Sequence, residues 1–196
     1  MKKVDLLIAG VGGQGTILAG RIMSTVALLA NLEVKMAETH GMAQRGGSVV
    51  THVRLGEKVY APLVPRGDAD FILAFEQLEG LRWLPYLSPE GIALVNTRVL
   101  EPLPVLTGQT VYPEGIKEEI EKKAHQAILV DAMQHTPVNQ NPRTLNVFLM
   151  GMLARHTPYP RDIWEEALHQ ILPPKIRGIN QEAFETGYKL YSAPEG

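Results

Sequence analysis

The chain has 196 residues, 45% of them hydrophobic, a formal net charge of -2 and 0 cysteines. That length suits one domain, residues 1–196, with a substantial core. The near-neutral balance gives no electrostatic case for nucleic acid, and the absent thiols exclude disulfides, thiolate nucleophiles and cysteine-ligated clusters held by this chain.

The opening stretch MKKVDLLIAG is a short apolar run interrupted by Asp5, which does not make a secretory signal. Val4 to Ala9 predicts a buried strand, and Gln14 to Leu32 a helix whose Arg21 and interruptions exclude a membrane span. A cytoplasmic protein that does not engage membranes is expected. Between strand and helix lie Gly10, Gly12, Gly13 and Gly15, of which three occupy the positions of G-x-G-x-x-G. The helix start that follows exposes N–H groups to an anion, aided by the helix dipole. A turn that only packs strand on helix is the alternative. A P-loop is disfavoured, because Thr16 stands where lysine is needed. NAD or FAD binding stays open, with Glu33 or Glu38 placed to hold a ribose hydroxyl.

LEVKMAE predicts a second strand ending near Glu38, and SVVTHVRLG a third, hairpin-paired with KVYAP across Gly56. ADFILAF and GIALVNT read as buried strands on either side of a helix from Glu76 to Leu84. Residues 101–113 are proline-rich and read as irregular. EGIKEEIEKKAHQ is a wet helix with a narrow apolar stripe and i,i+4 Glu–Lys pairs, and AILVDA returns to the sheet. RTLNVFLMGMLARH is apolar nearly all round, so it is expected to be buried on several sides, within the fold or against another chain. Its one amide, Asn146, must find a partner, in a neighbouring loop, subunit or ligand. An amphipathic helix around Trp164 follows, then a last one starting near Asn180 as N-cap. The alternation predicts a three-layer α/β/α, Rossmann-like fold around a mixed, largely parallel sheet with an early β-hairpin.

ETHGMAQRGGSV is the most informative loop. It brings Glu38, Thr39, His40, Gln44 and Arg45 together beside Gly46 and Gly47. If the second strand runs parallel to the first, this loop leaves the sheet beside the glycine turn, where open α/β sheets bind ligands. Arg45 would clamp a phosphate or carboxylate. The six histidines have no metal-ligand spacing, and no Ser–His–Asp set is evident.

GVGGQGT, ETHGMAQRGGSVVTHVR, ADFILAFEQLEGLR, NVFLMG and NQEAFETG, in that order, span nearly the whole chain. With them the sequence resembles the small γ-type subunit, or common domain, of the 2-oxoacid:ferredoxin oxidoreductases. The HGMAQRGG form tilts the resemblance towards the branch acting on indolepyruvate and other aryl-pyruvates; pyruvate, 2-oxoisovalerate and 2-oxoglutarate enzymes are the alternatives. A stand-alone NAD-binding protein or regulatory module is the rival of another class. The resemblance implies decarboxylation of a 2-oxoacid, transfer of the acyl group to coenzyme A and electron delivery to ferredoxin. It places thiamine diphosphate and [4Fe-4S] clusters on a large partner subunit, with nothing tightly bound here and self-association possible for the isolated chain. We accordingly read Gly10, Gly12, Gly13, Gln14, Gly15, Thr16, Glu38, Thr39, Gln44, Arg45, Gly46, Gly47 and Asn146 as candidate coenzyme A contacts, with no catalytic residue and no metal ligand.

Overall fold

Six strands form one sheet in the computed structural model, which describes residues 3–40 and 47–190. They are β1 (Val4–Val11), β2 (Glu33–His40), β3 (Ser48–Gly56), β4 (Ala69–Ala74), β5 (Leu87–Asn96) and β6 (Gln126–Val130), in the spatial order β2-β3-β1-β4-β5-β6. β1, β4, β5 and β6 are mutually parallel, while β3 runs antiparallel between β1 and β2. The end of β2 and the start of β3 therefore lie at the same edge as the C-terminal ends of the parallel strands.

Both faces are covered, so the central strands read as continuous apolar runs rather than alternating ones. Leu6 and Ile8 of β1 point into one core, with α1 (Thr16–Leu29), α5 (Leu145–His156), α6 (Arg161–Ile171) and α7 (Pro174–Lys189). Leu7 and Ala9 point into the other, with α2 (Gln77–Trp83) and α4 (Ile116–Lys123). A four-residue helix, α3 (Leu103–Leu106), interrupts the stretch expected to be irregular. The three-layer, Rossmann-like α/β architecture with a mixed sheet is as the alternation of elements implied.

Asp5, the charge inside the first apolar run, is fully buried and stands opposite Arg54 in the β1–β3 register. Arg54 donates to both carboxylate oxygens, at 2.9 and 3.0 Å. A buried carboxylate is tolerated only when paired in this way.

The expected pairing of β3 with KVYAP does not form. Both edges of β3 are occupied by β1 and β2, so residues 57–62 have no free edge to join. The early hairpin is β2–β3 instead. The last helix begins at Pro174, not near Asn180. Proline's fixed φ and missing N–H suit a first helical turn, whereas Asn180 lies buried mid-helix and donates to the Ile176 carbonyl at 2.8 Å.

The all-round apolarity of α5 is used within the chain. Its residues Leu145 to Ala154 are all buried, chiefly against α7. Gly151 of α5 and Gly187 of α7 let the two backbones touch. A Cβ on Gly151 would lie 2.9 Å from the Phe184 carbonyl carbon, and one on Gly187 would lie 3.0 Å from that of Phe148. NVFLMG and NQEAFETG thus end on the two glycines of one helix crossing.

Candidate functional site

The turn between β1 and α1 is held from three sides. The Gly12 amide donates to the Gly47 carbonyl at 3.0 Å, joining the turn to the end of the β2–β3 loop. The Gln14 side chain folds back under the turn: its Oε1 accepts from the Val11 amide at 2.6 Å, and its Nε2 donates to the Phe75 carbonyl at 3.2 Å. A side chain at Gly10 would meet that Oε1 at 2.9 Å, so glycine there leaves room for the fold-back. Gly15, the N-cap of α1, is left-handed with φ 89° and lies directly against the Asn146 amide of α5. Asn146 itself is buried, and its Oδ1 accepts from the Val147 amide at 2.9 Å.

Beyond those contacts Thr16 is buried, while Ile17 on the first turn of α1 is exposed. No side chain among the described residues caps α1 and no acid lies in its first turn; as at any helix start, the amides of Thr16, Ile17 and Leu18 have no intrahelical acceptor. A Cβ on Gly13 would meet no atom of the described residues within 4 Å. The arrangement suits an anionic group settling on the helix start. Among the described residues it supplies no general base.

Behind the turn, an amide clamp ties four parallel strands together. The Phe75 carbonyl, just past β4, accepts from Gln14 Nε2 and also from Asn96 Nδ2, the latter at 3.1 Å. Asn96 ends β5, is fully buried, and its Oδ1 accepts from the Ala132 amide beyond β6 at 3.1 Å. Sequence reasoning did not single out Asn96; the signal was an amide closing an apolar strand.

A carboxylate pair lies next to the clamp. Glu76 caps α2: one oxygen accepts from the Glu79 amide at 2.9 Å, and the other from the Tyr112 hydroxyl at 2.6 Å and the Leu100 amide at 3.4 Å. The Ser48 hydroxyl donates to Glu79, whose other oxygen lies 3.4 Å from Arg82. Burial raises the Glu79 pKa, partly offset by Ser48 and Arg82. Burial, and then the bond to Glu76, also raises that of Tyr112. The spacing of Glu76 and Glu79 at a strand–helix junction was the sequence signal for this cap.

The other sequence-derived candidates separate. Thr16 is buried at the start of α1. Glu38 and Thr39 lie near the end of β2, opposite Thr51 and Val50 of β3, and Thr51 in turn pairs with Ile8 of β1. Two strand spacings, roughly 10 Å, thus separate Glu38 from β1. The ribose-binding acid of a dinucleotide fold sits on a strand adjacent to the glycine strand. The inserted β3 removes that adjacency, and with it the geometric basis of the NAD reading. Glu33 begins β2 at the opposite edge, where it accepts from the Val59 amide at 2.9 Å. Gln44, Arg45 and Gly46 lie outside the described residues.

His52 serves the fold: its Nδ1 accepts from the Val64 amide at 3.1 Å, and burial lowers its pKa. Several clefts have no residue of the glycine turn in their lining. One of about 350 Å³ is lined by Lys3, Asp70, Glu90 and His156 at the opposite sheet edge.

Residues 5–190 match the family model for pyruvate ferredoxin/flavodoxin oxidoreductase. The indolepyruvate oxidoreductase subunit IorB of Pyrococcus horikoshii is 38% identical over 194 residues, covering 96% of each chain. The pyruvate/ketoisovalerate oxidoreductases common subunit gamma of Pyrococcus furiosus is 23% identical, covering 95% of this chain and 96% of its own. Among solved structures, a 2-oxoglutarate:ferredoxin oxidoreductase from Magnetococcus marinus, with 2-oxoglutarate, coenzyme A and succinyl-CoA bound, shares the fold with TM-score 0.74 at 21% identity. That match covers 97% of this chain and 31% of that one.

Proposed function

Since the chain belongs to the pyruvate ferredoxin/flavodoxin oxidoreductase family, we propose that it is the small subunit of an oxidoreductase acting on indolepyruvate or another aryl-pyruvate. The observation that carries this reading is full-length identity of 38% to an indolepyruvate oxidoreductase subunit, against 23% to a pyruvate/ketoisovalerate one. The overall reaction takes a 2-oxoacid anion and coenzyme A to an acyl-CoA, CO2 and one proton, with two electrons passing to ferredoxin. Thiamine diphosphate and iron–sulfur clusters on a large partner subunit supply the carbon–carbon cleavage and the electron route when bound there. With 0 cysteines, this chain has no thiolate to anchor a cluster.

Its own residues bind and orient. The first-turn amides of Thr16, Ile17 and Leu18 receive the pyrophosphate of coenzyme A, and Arg45 adds charge from the adjoining loop. Gln14 works from beneath the turn: both ends of its amide are engaged within the chain, so it holds the amides in place rather than touching the ligand. Asn146 supports Gly15 in the same sense. Residues 1–196 act together as one γ-type domain in the cytoplasm; no helix among the described residues is long and apolar enough to cross a membrane.

The test is reconstitution. The purified chain alone should be colourless and should not reduce a viologen dye with indolepyruvate and coenzyme A. Co-expressed with the large subunit, it should co-purify as a brown complex that does. Substituting pyruvate, 2-oxoisovalerate or 2-oxoglutarate in the same assay ranks the substrates, and a preference for any of these overturns the aryl-pyruvate assignment. Saturable NADH binding by the isolated chain, with none for coenzyme A, overturns the role of the turn.

A further inference from the structure

We propose that residues 97–115, the excursion between β5 and α4, form the surface on which the large thiamine- and cluster-bearing subunit docks. The proposal rests on the reading of the chain as one subunit of an oxidoreductase and adds where the partner sits. Val99, Leu103, Leu106 and Val111 are 49%, 68%, 65% and 83% exposed. Of the ten large apolar side chains exposed among the described residues, four fall within this one excursion, a clustering that points to an interaction site. Between Thr97 and Gly115 the charged residues are Arg98, Glu101 and Glu114. None lies between Leu103 and Val111, matching the charge-poor core of a permanent interface.

The excursion is tied down, so its apolar side chains do not owe their exposure to a loose loop. Gln109 and Thr110 both donate backbone amides to the Pro104 carbonyl, at 2.8 and 3.2 Å, closing the segment on itself. Leu100 and Tyr112, near its two ends, both bond Glu76. The same helix cap follows Phe75, whose carbonyl holds Gln14 under the glycine turn. A short run of bonds therefore links the apolar excursion to the proposed coenzyme site, and both rise from one sheet edge.

That continuity selects the occupant. On the proposed function the turn binds coenzyme A while thiamine diphosphate and the clusters belong to the large subunit, so that subunit's reacting centre has to face this edge. A second copy of this chain would bring another incomplete site. In the 2-oxoglutarate enzyme of similar fold, the matching region is 31% of a longer chain, so there this fold is continuous with further polypeptide.

The experiment titrates the purified small chain into the large subunit and reads dye reduction, comparing the parent with a Leu103→Glu/Val111→Glu double variant. The variant should melt with the parent, since both side chains are already exposed. Its apparent Kd for the large subunit should rise at least tenfold, with kcat regained at saturation. If the charges disturb folding, Leu103→Ser/Val111→Ser serves instead, with the same expected direction. A rise of less than tenfold in a well-folded variant overturns the placement while leaving the function intact. A parent homodimer that the variant dissolves, with large-subunit affinity unchanged, assigns the surface to a second copy and also overturns it. A parent chain that binds no such subunit overturns the functional reading and this proposal together.

Discussion

Replacing Gly187 by alanine tests the close crossing of α7 over α5. The added methyl would lie 3.0 Å from the Phe148 carbonyl carbon and 3.2 Å from the Met152 amide nitrogen, with the Phe148 oxygen nearer still. All three are main-chain atoms of a buried helix, so relief requires α5 and α7 to part rather than one side chain to turn. Overpacking of this kind costs about 1–3 kcal/mol, and a contact with backbone belongs at the upper end. Alanine's better helix propensity returns about 1 kcal/mol. The net expectation is a loss of about 2 kcal/mol, which for a chain of this size lowers Tm by roughly 4–8 °C. Gly178, in the same helix, is the control: a Cβ there meets nothing within 4 Å. Gly178→Ala should therefore stabilise by about 0.5–1 kcal/mol. Calorimetry or a urea melt on the two variants separates the terms. A Gly187→Ala protein that melts at or above the parent refutes the backbone crossing.

Asn96→Leu removes both halves of the amide clamp, leaving the Ala132 amide unpartnered and Phe75 with one donor fewer. It should cost about 1–3 kcal/mol in a urea titration, and in the reconstituted enzyme raise the KM for coenzyme A more than it lowers kcat; an unchanged KM would leave Asn96 a purely structural residue. Arg45→Met should shift stability by less than about 0.5 kcal/mol while weakening coenzyme A or partner affinity, and a large drop in Tm with normal affinity would make the arginine structural. His52 is held neutral by burial, so its folded pKa lies below 6.5. In the acidic window the unfolded chain then binds more protons than the folded one. Its contribution to stability is present above pH 6.5 and is lost as pH falls towards the folded value. Denaturation midpoints, followed from neutral into mildly acidic solution, should fall less steeply in His52→Gln than in the parent, and identical slopes would contradict this.

Features set by local pattern were legible in the chain itself. Period, length and punctuation marked β1, α1, β4, α2, α4, β6 and α5 nearly where they lie, because apolar runs bounded by glycine and amphipathic stripes are properties of contiguous residues; GIALVNT marked only the later part of β5, which starts at Leu87. The glycine turn and the likeness of the longer motifs to one oxidoreductase family were readable for the same reason. Which strands adjoin was another matter. Nothing local to SVVTHVRLG says that it inserts between β1 and β2; hydrogen-bonding edges are filled globally, and that insertion is what separates Glu38 from the turn. The role of Gln14 was equally hidden: the family resemblance made it a candidate ligand contact, yet its amide is consumed by Val11 and Phe75, the latter 61 residues away. The purpose of Gly151 and Gly187 emerges only where two distant helices cross, since a missing side chain shows its reason only once the atoms that fill its place are known.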